Sequence, residues 1–540
     1  EIYKSPFSAE FLKTTYNSES RVQEYLPIAE RGYLSMTDGA SFSYDGNVTL
    51  NYNTLVNEKH IIYAGAGLEV TQNDNNSHGF IMTGFPDDRY SDPAFAIQYK
   101  KETKPSSSES KSRAIGFFAN GNYSYDDRYF ADVSVRIDGS SKFGADKKYA
   151  PFWSAGAGWN VHNEKFFKHT KISMLKLRYS YGVTGNQEFS AYQAKTMFQF
   201  NTDRLYNSGI SAALMGYGNP DLEWQNQYQS NYGFDFGYAK DRIRLQFNYY
   251  QKKTEGMLTS VSVAPSLGLP SNTFTSNLGK IQNKGVEVNL NAVLIRDQGK
   301  DFEWSVMLQA AHNKNKIMEI STALKNINEK NNQDKTTPAA VYEEGESMSA
   351  IKAVPSLGID PTTGQELFMK KDGTITYTWD ATDKVICGDS EPKVFGNVGT
   401  NLYWKGWNLN MVFKYDLGAD YYNSTLAERV EGANPRYNAD RRVLNNRWKE
   451  PGQHALYKNI KEYTTTYISS RFVQKENTLQ LTSLSLSYDL NREWIRKFGL
   501  NTMRLSFYMN DVFRASTVKN ERGLDYPFQR SFVFGLNIGF

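Results

Sequence analysis

The last residues of the chain, Ser531–Phe540, read SFVFGLNIGF. Phe532, Phe534, Leu536, Ile538 and Phe540 fall on one face of a period-2 strand. Ser531, Val533, Gly535, Asn537 and Gly539 fall on the other. One face is bulky and apolar, the other mostly small or polar. A membrane β-barrel strand needs about 9–11 residues of this pattern to cross the hydrocarbon.

The same pattern recurs upstream. Tyr129, Ala131, Val133, Val135 and Ile137 alternate with Phe130, Asp132, Ser134, Arg136 and Asp138. Ile243, Leu245, Phe247 and Tyr249 alternate with Arg244, Gln246, Asn248 and Tyr250. Further alternating segments start near Val48, Leu175, Asn231, Val286, Phe302, Trp407 and Arg504. Weaker ones sit near residues 61–70, 113–125, 152–159, 394–404 and 479–489. The pattern predicts an all-β, antiparallel transmembrane barrel wall of about fifteen strands. Alternation alone also fits a soluble sheet, whose strands are usually about 5–6 residues long. These segments run longer.

The connections separate by length. Val56–Lys59, Asp126–Arg128, Ala239–Asp241, Ile295–Asp301 and Lys405–Gly406 are short, and 160–173 and 490–501 are intermediate. Between them lie 71–114, 139–151, 184–229, 251–284, 316–393, 416–478 and 513–530, mostly much longer. Counting back from Phe540 puts every short turn on the side of the C-terminus. Short periplasmic turns and long extracellular loops are the outer-membrane arrangement. Within the long connections, 101–113 (KETKPSSSESKSR) and 325–338 (KNINEKNNQDKTTP) read as solvated loops.

Composition agrees. Of 540 residues only 39% are hydrophobic, yet aromatics reach 14%, with 36 Tyr and 32 Phe. A barrel needs one apolar face per strand plus aromatic girdles, which Trp153, Trp159, Trp404 and Trp407 at strand ends would supply. A net charge of +4 is too small at this length to suggest nucleic acid, and the single cysteine, Cys387, excludes an internal disulfide. No apolar run is long enough for a transmembrane helix.

Longer motifs carry a resemblance. DDRYFADVSVRIDGSSKFGADKKYAPFWSAGAGWNVHNEKFF followed by MLKLRYSYGVTGNQEFSAYQ resembles the barrel of SusC/RagA-type TonB-dependent outer-membrane transporters of the Bacteroidetes. GNPDLEWQNQYQSNYGFDFG (218–237), NLGKIQNKGVEVNLNAVLI (277–295), LGIDPTTGQELFMKKDGT (357–374) and GDSEPKVFGNVGTNLYWKGWNLNMVFKYDLG (388–418) continue it in the same order. The likeness is clear over 113–540 and by pattern over 1–112. It implies a barrel of about 22 strands around an N-terminal plug. It also implies a SusD-like surface lipoprotein as lid, the TonB complex as energy source, and oligosaccharide or oligopeptide cargo. The chain opens EIYKSPFSAE, without an initiator Met or signal peptide. Residues 1–540 are therefore expected to be the C-terminal part of the barrel, with plug, TonB box and first strands outside this chain.

Chemistry-bearing motifs are sparse. His60, His78, His162, His169, His312 and His454 are scattered without metal spacing. Asp380, Asp383 and Asp389 do not match a calcium loop. No cofactor, metal or catalytic set is expected, and the chain reads as a non-enzyme. In the connection 416–478, Arg436, Tyr437, Arg447 and Trp448 are candidates to stack on sugar rings or pair with acidic groups, or else to pack the loop. Two other readings remain open at this point. One is a passive porin or structural barrel, the other a soluble β-rich glycan-binding module. An outer-membrane hydrolase would need a convergent Ser/His/Asp set that the sequence does not place.

Overall fold

The computed structural model describes residues 2–540 apart from 9–10, 12–13, 18–21, 90, 145–146, 168–170, 187–190, 207–208, 263–272, 278, 321–324, 326–327, 330, 337, 435, 437–439, 463 and 520–528. Fifteen strands follow one another in a single antiparallel wall. They are β1 (Tyr33–Val56), β2 (His60–Thr83), β3 (Ser106–Tyr125), β4 (Tyr129–Ser140) and β5 (Tyr149–Asn160). Next come β6 (Ile172–Asn186), β7 (Gln225–Tyr238), β8 (Ile243–Glu255), β9 (Lys280–Asp297) and β10 (Phe302–Glu319). The last are β11 (Val394–Trp404), β12 (Trp407–Tyr422), β13 (Val473–Asp489), β14 (Thr502–Ser516) and β15 (Phe532–Gly539). Each pairs with the next in chain order, from Val56↔His60 to Thr502↔Gly539. Such strict up-and-down order is what short turns on one side enforce.

The turns form where the chain can reverse cheaply. Asn57, Glu58, Asp126, Asp127, Lys405 and Gly406 all have positive φ, the conformation that matches tight hairpins to strand twist. All these turns lie on the side where Phe540 ends, as the connection lengths predict.

The burial of the strands is inverted relative to a soluble sheet. Along β4 the apolar residues are the exposed ones, with Val133 at 52% and Ile137 at 44%. The polar residues between them are half-buried. A soluble sandwich would hide the apolar face, so the soluble-module reading fails. A face this apolar is stable only against lipid.

Several strands are longer than expected. β1 and β2 run 24 residues each, far more than the bilayer requires. The connections expected at 71–114 and 184–229 shrink to 84–105 and 187–224. Most of the stretch read as a solvated loop at 101–113 is strand instead, with Ser106–Arg113 paired against Gly79–Gln72. Beyond the bilayer a strand needs no apolar face, so alternation stops while pairing continues. The stretch 325–338 is not simply solvated either. Asn328 is buried and bonds the backbone of Tyr342 at both ends of its amide. Lys384 Nζ donates to the carbonyls of Asn332 and Asp334 at 3.0 and 2.8 Å.

β13 carries a bulge at Thr482, where the register steps from Phe413↔Leu481 to Val412↔Ser483. Thr482 Oγ1 donates to the Val412 carbonyl at 2.9 Å. The extra residue switches parity, so Leu479 and Leu481 share a face with Leu484 and Leu486 rather than opposing it.

Trp404 and Trp407 flank the Lys405–Gly406 turn, and Trp407 lies 4.6 Å from the Tyr488 ring. Trp159 stacks with Tyr129 at 6.3 Å on the same margin. Trp153 sits toward the other end of β5, about 20 Å away along the strand.

On the inner face a ring can occupy the space over a cross-strand glycine. Phe130 registers with Gly158 and covers it, and Lys176 Nζ stands 4.1 Å over the same ring. A Cβ at Gly158 would fall within that ring. Gly158→Val is expected to displace Phe130 and cost about 1–3 kcal/mol, read as a lowered urea midpoint of the folded barrel.

Candidate functional site

The face opposite the lipid-facing one lines the lumen, and register carries polar side chains around it. Asp235, Gln246, Asn289, Gln309, Asn397, Lys414, Gln480 and Arg514 are successive partners from β7 to β14. The charges in this row are matched locally. Arg178 Nη2 donates to Asp235 Oδ1 at 2.8 Å and to Asn248 Oδ1 at 3.0 Å. Lys414 Nζ lies 3.2 Å from Asp416, and Arg514 Nη2 2.9 Å from Glu476. Asn397 Nδ2 reaches Gln309 Oε1 at 3.3 Å. The inner face of the wall therefore presents a mesh of amide donors and acceptors with paired charges.

Above the wall, the long connections 320–393 and 423–472 fold together. Arg471 Nη2 meets Glu366 Oε2 at 2.8 Å, and Nη1 meets Glu431 Oε2 at 2.5 Å. The three side chains are buried, at 11%, 4% and 0% exposure respectively. Lys458 Nζ donates to Thr464 Oγ1 at 3.1 Å and stands 3.9 Å from Glu431. Burial pushes the Lys458 ammonium below its ordinary value. Trp379 stacks on Tyr467 at 5.1 Å and donates Nε1 to the Ile468 carbonyl at 2.9 Å. Nothing local in the sequence marks Glu366, Glu431 and Arg471 as partners, because they lie in separate segments.

Of the four candidate residues, the three that are described each have separate local partners. Arg436 is exposed, and its backbone N–H donates to Asn434 Oδ1. Tyr437 lies outside the described residues. Arg447 is buried, and its guanidinium donates to the carbonyls of Val443, Lys458, Val430 and Glu431. Burial lowers its pKa. Trp448 is half-buried, covers Gly364 and donates Nε1 to the Pro361 carbonyl at 2.9 Å. Arg447 and Trp448 thus hold the loops together. Arg447→Lys is expected to cost these loops about 1–3 kcal/mol, since an ammonium cannot span four carbonyls. Arg436→Ala should stay within about 0.5 kcal/mol. Proteolytic protection of 423–472 reads both.

Other expected residues are accounted for locally. His60 Nδ1 meets Tyr123 OH at 2.8 Å, and His312 Nδ1 meets the Lys393 carbonyl at 2.6 Å. Asp380 Oδ1 accepts from Thr382 N–H, and Asp383 Oδ1 accepts from Lys371 N–H. Burial pushes the Cys387 thiol up, away from a reactive thiolate. Among the described residues no group of three His, Cys, Asp or Glu side chains could hold a metal ion.

Comparison with known proteins agrees with this geometry. The family described as TonB dependent receptor-like, beta-barrel matches residues 5–512. TonB-dependent receptor P3 of Formosa agariphila is 28% identical over 486 residues, covering 81% of this chain and 46% of that protein. SusC of Bacteroides thetaiotaomicron is 23% identical over 535 residues, covering 92% and 51%. The chain thus spans about half the length of the curated relatives it matches. The structure of the RagAB peptide transporter superposes with a TM-score of 0.80 at 22% identity, over 91% of this chain and 53% of that one. The superposition shows a shared fold, and the family model matches nearly end to end. The chain belongs to the TonB dependent receptor-like β-barrel family of the outer membrane, as its SusC/RagA-type motifs imply.

Proposed function

We propose that residues 1–540 are the C-terminal barrel portion of a TonB-dependent importer of oligomeric nutrients, oligosaccharides or oligopeptides. In this reading a SusD-like lipoprotein closes over the extracellular loops and the TonB complex drives transfer. The observation that carries it is the continuous row of amides and paired charges from Asp235 to Arg514, behind a lipid-facing apolar surface. Such a wall passes a hydrogen-bonding polymer without a charge barrier.

The margins of the wall support the domain assignment. β1 from Thr37 to Asn53 and most of β15 are exposed on both faces. Among the described residues β1 registers with β2 and, at its outer end, with Ile2–Lys4. An unpaired strand edge inside a bilayer is costly, so further strands of the same transporter would complete the barrel.

The test is uptake of labelled oligosaccharides and oligopeptides by cells carrying the full-length transporter, with and without a functional TonB complex. Uptake that stops without TonB, together with co-purification of a surface lipoprotein, is the expected result. TonB-independent uptake of small solutes would instead favour the passive porin.

A further inference from the structure

We infer that a groove on the lipid-facing side of β2–β5, at the extracellular margin of the wall, binds a phosphate-bearing membrane lipid by its headgroup and the start of an acyl chain. The inference concerns the outside of the barrel and goes beyond what its lumen carries. The groove holds about 510 Å³, with Val70, Ile115 and Tyr149 along its floor and Arg113, Lys148 and Lys195 at its rim. Register lines up Val70, Ile115, Gly139 and Tyr149 as successive partners. They share a face with Phe117 and Ile137, which are exposed to lipid.

The groove lies at headgroup height. Gly139 stands about 33 Å along β4 from Tyr129, which adjoins a short turn. At a strand tilt of about 40° the rise is about 25 Å, the height of the apolar band of an outer-membrane barrel. The outer face changes character there. One step further out on the same face, Ile115 gives way to Arg113 and Val70 to Gln72. Arg113 Nε donates to Gln72 Oε1 at 2.9 Å, and its backbone N–H donates to Ser141 Oγ at 2.9 Å. The Tyr149 ring lies over Gly139, where an added Cβ would stand 2.4 Å from its Cε1, so the floor is flush with the sheet.

Charge supplies the second, independent observation. The lining carries three cations and no carboxylate. The lumen is the reverse, since Arg178 and Arg514 there pair with Asp235 and Glu476. Among the described residues no carboxylate pairs with Arg113, Lys148 or Lys195, and the Arg113 guanidinium meets only the neutral Gln72 amide. Its other N–H groups and the two ammoniums are left to a ligand. Like charges around one groove repel, and an anion among them relieves the repulsion. A guanidinium with two ammoniums matches the several oxygens of a phosphate monoester. A soluble anion would gain nothing from Val70 and Ile115, and a bare acyl chain nothing from the rim. A lipid phosphate uses both.

Native mass spectrometry of the detergent-solubilised full-length transporter tests this with dioleoyl phosphatidic acid as probe. It is expected to bind more tightly than dioleoyl phosphatidylcholine, which has the same chains and no net charge. Lys195→Gln should weaken phosphatidic acid binding about fivefold and R113Q/K148Q/K195Q about a hundredfold. Arg496 and Lys497 are exposed at the opposite margin. The control R496Q/K497Q is expected to leave the tightest-bound phosphatidic acid in place. Heat-modifiable mobility checks that each variant is folded, and Lys195→Gln touches no wall strand. Equal binding of phosphatidylcholine, or an equal loss in R496Q/K497Q, overturns the site. Displacement of phosphatidic acid by an equal concentration of inorganic phosphate overturns the lipid assignment in favour of free phosphate.

Discussion

Val133→Arg is expected to remove the folded barrel from the outer membrane, whereas Ser134→Arg, one residue on, leaves it in place. Val133 sits mid-strand on β4, registered with Gly121 and Ala155, and is 52% exposed on the apolar face. An arginine there would lie near the bilayer midplane at a cost of about 2–4 kcal/mol. That is a large share of a typical folding stability of about 5–15 kcal/mol. Ser134 registers with Asn120 and Ser154 on the inner face. An arginine there meets the polar lumen and should change stability by about 0.5 kcal/mol or less. Heat-modifiable mobility in membranes and urea midpoints after reconstitution measure the pair.

Arg471→Met is expected to unfasten the two long connections from each other while leaving the barrel wall intact. The substitution strands the Glu366 and Glu431 carboxylates in a buried site. Breaking a buried pair by removing one partner costs about 3–5 kcal/mol. That cost falls on 320–393 and 423–472, which should gain protease sensitivity and hydrogen exchange together. The triple variant R471M/E366Q/E431Q, which removes both stranded carboxylates, should regain much of the protection. Protection lost in one connection alone would contradict their folding as one body.

Within the bilayer the wall was legible in the sequence, because lipid on one side and lumen on the other impose strict period-2 patterning. β4, β7 and β8 follow it residue by residue. The pattern failed where that constraint ends. The outer halves of β1–β3 stand above the bilayer, and Ser106–Arg113 pairs as strand without an apolar face. The bulge at Thr482 broke the period of β13 from within. The loops were least legible. Arg471 meets partners 40 and 105 residues away, and no local pattern encodes such pairings. Arg447 and Trp448 were singled out by residue type, which cannot distinguish a guanidinium offered to cargo from one spent on four carbonyls.

The central claim is that the apolar face of this sheet meets lipid and the polar face an aqueous lumen. Single cysteines placed at each position from Tyr129 to Asp138, in a Cys387→Ser background, can carry a nitroxide label in the reconstituted full-length transporter. Collision with oxygen, which concentrates in lipid, is compared with collision with a water-soluble nickel chelate. The account predicts oxygen-dominated collisions at Tyr129, Ala131, Val133, Val135 and Ile137, and chelate-dominated collisions at the residues between them. Equal access of the chelate to both sets would contradict it.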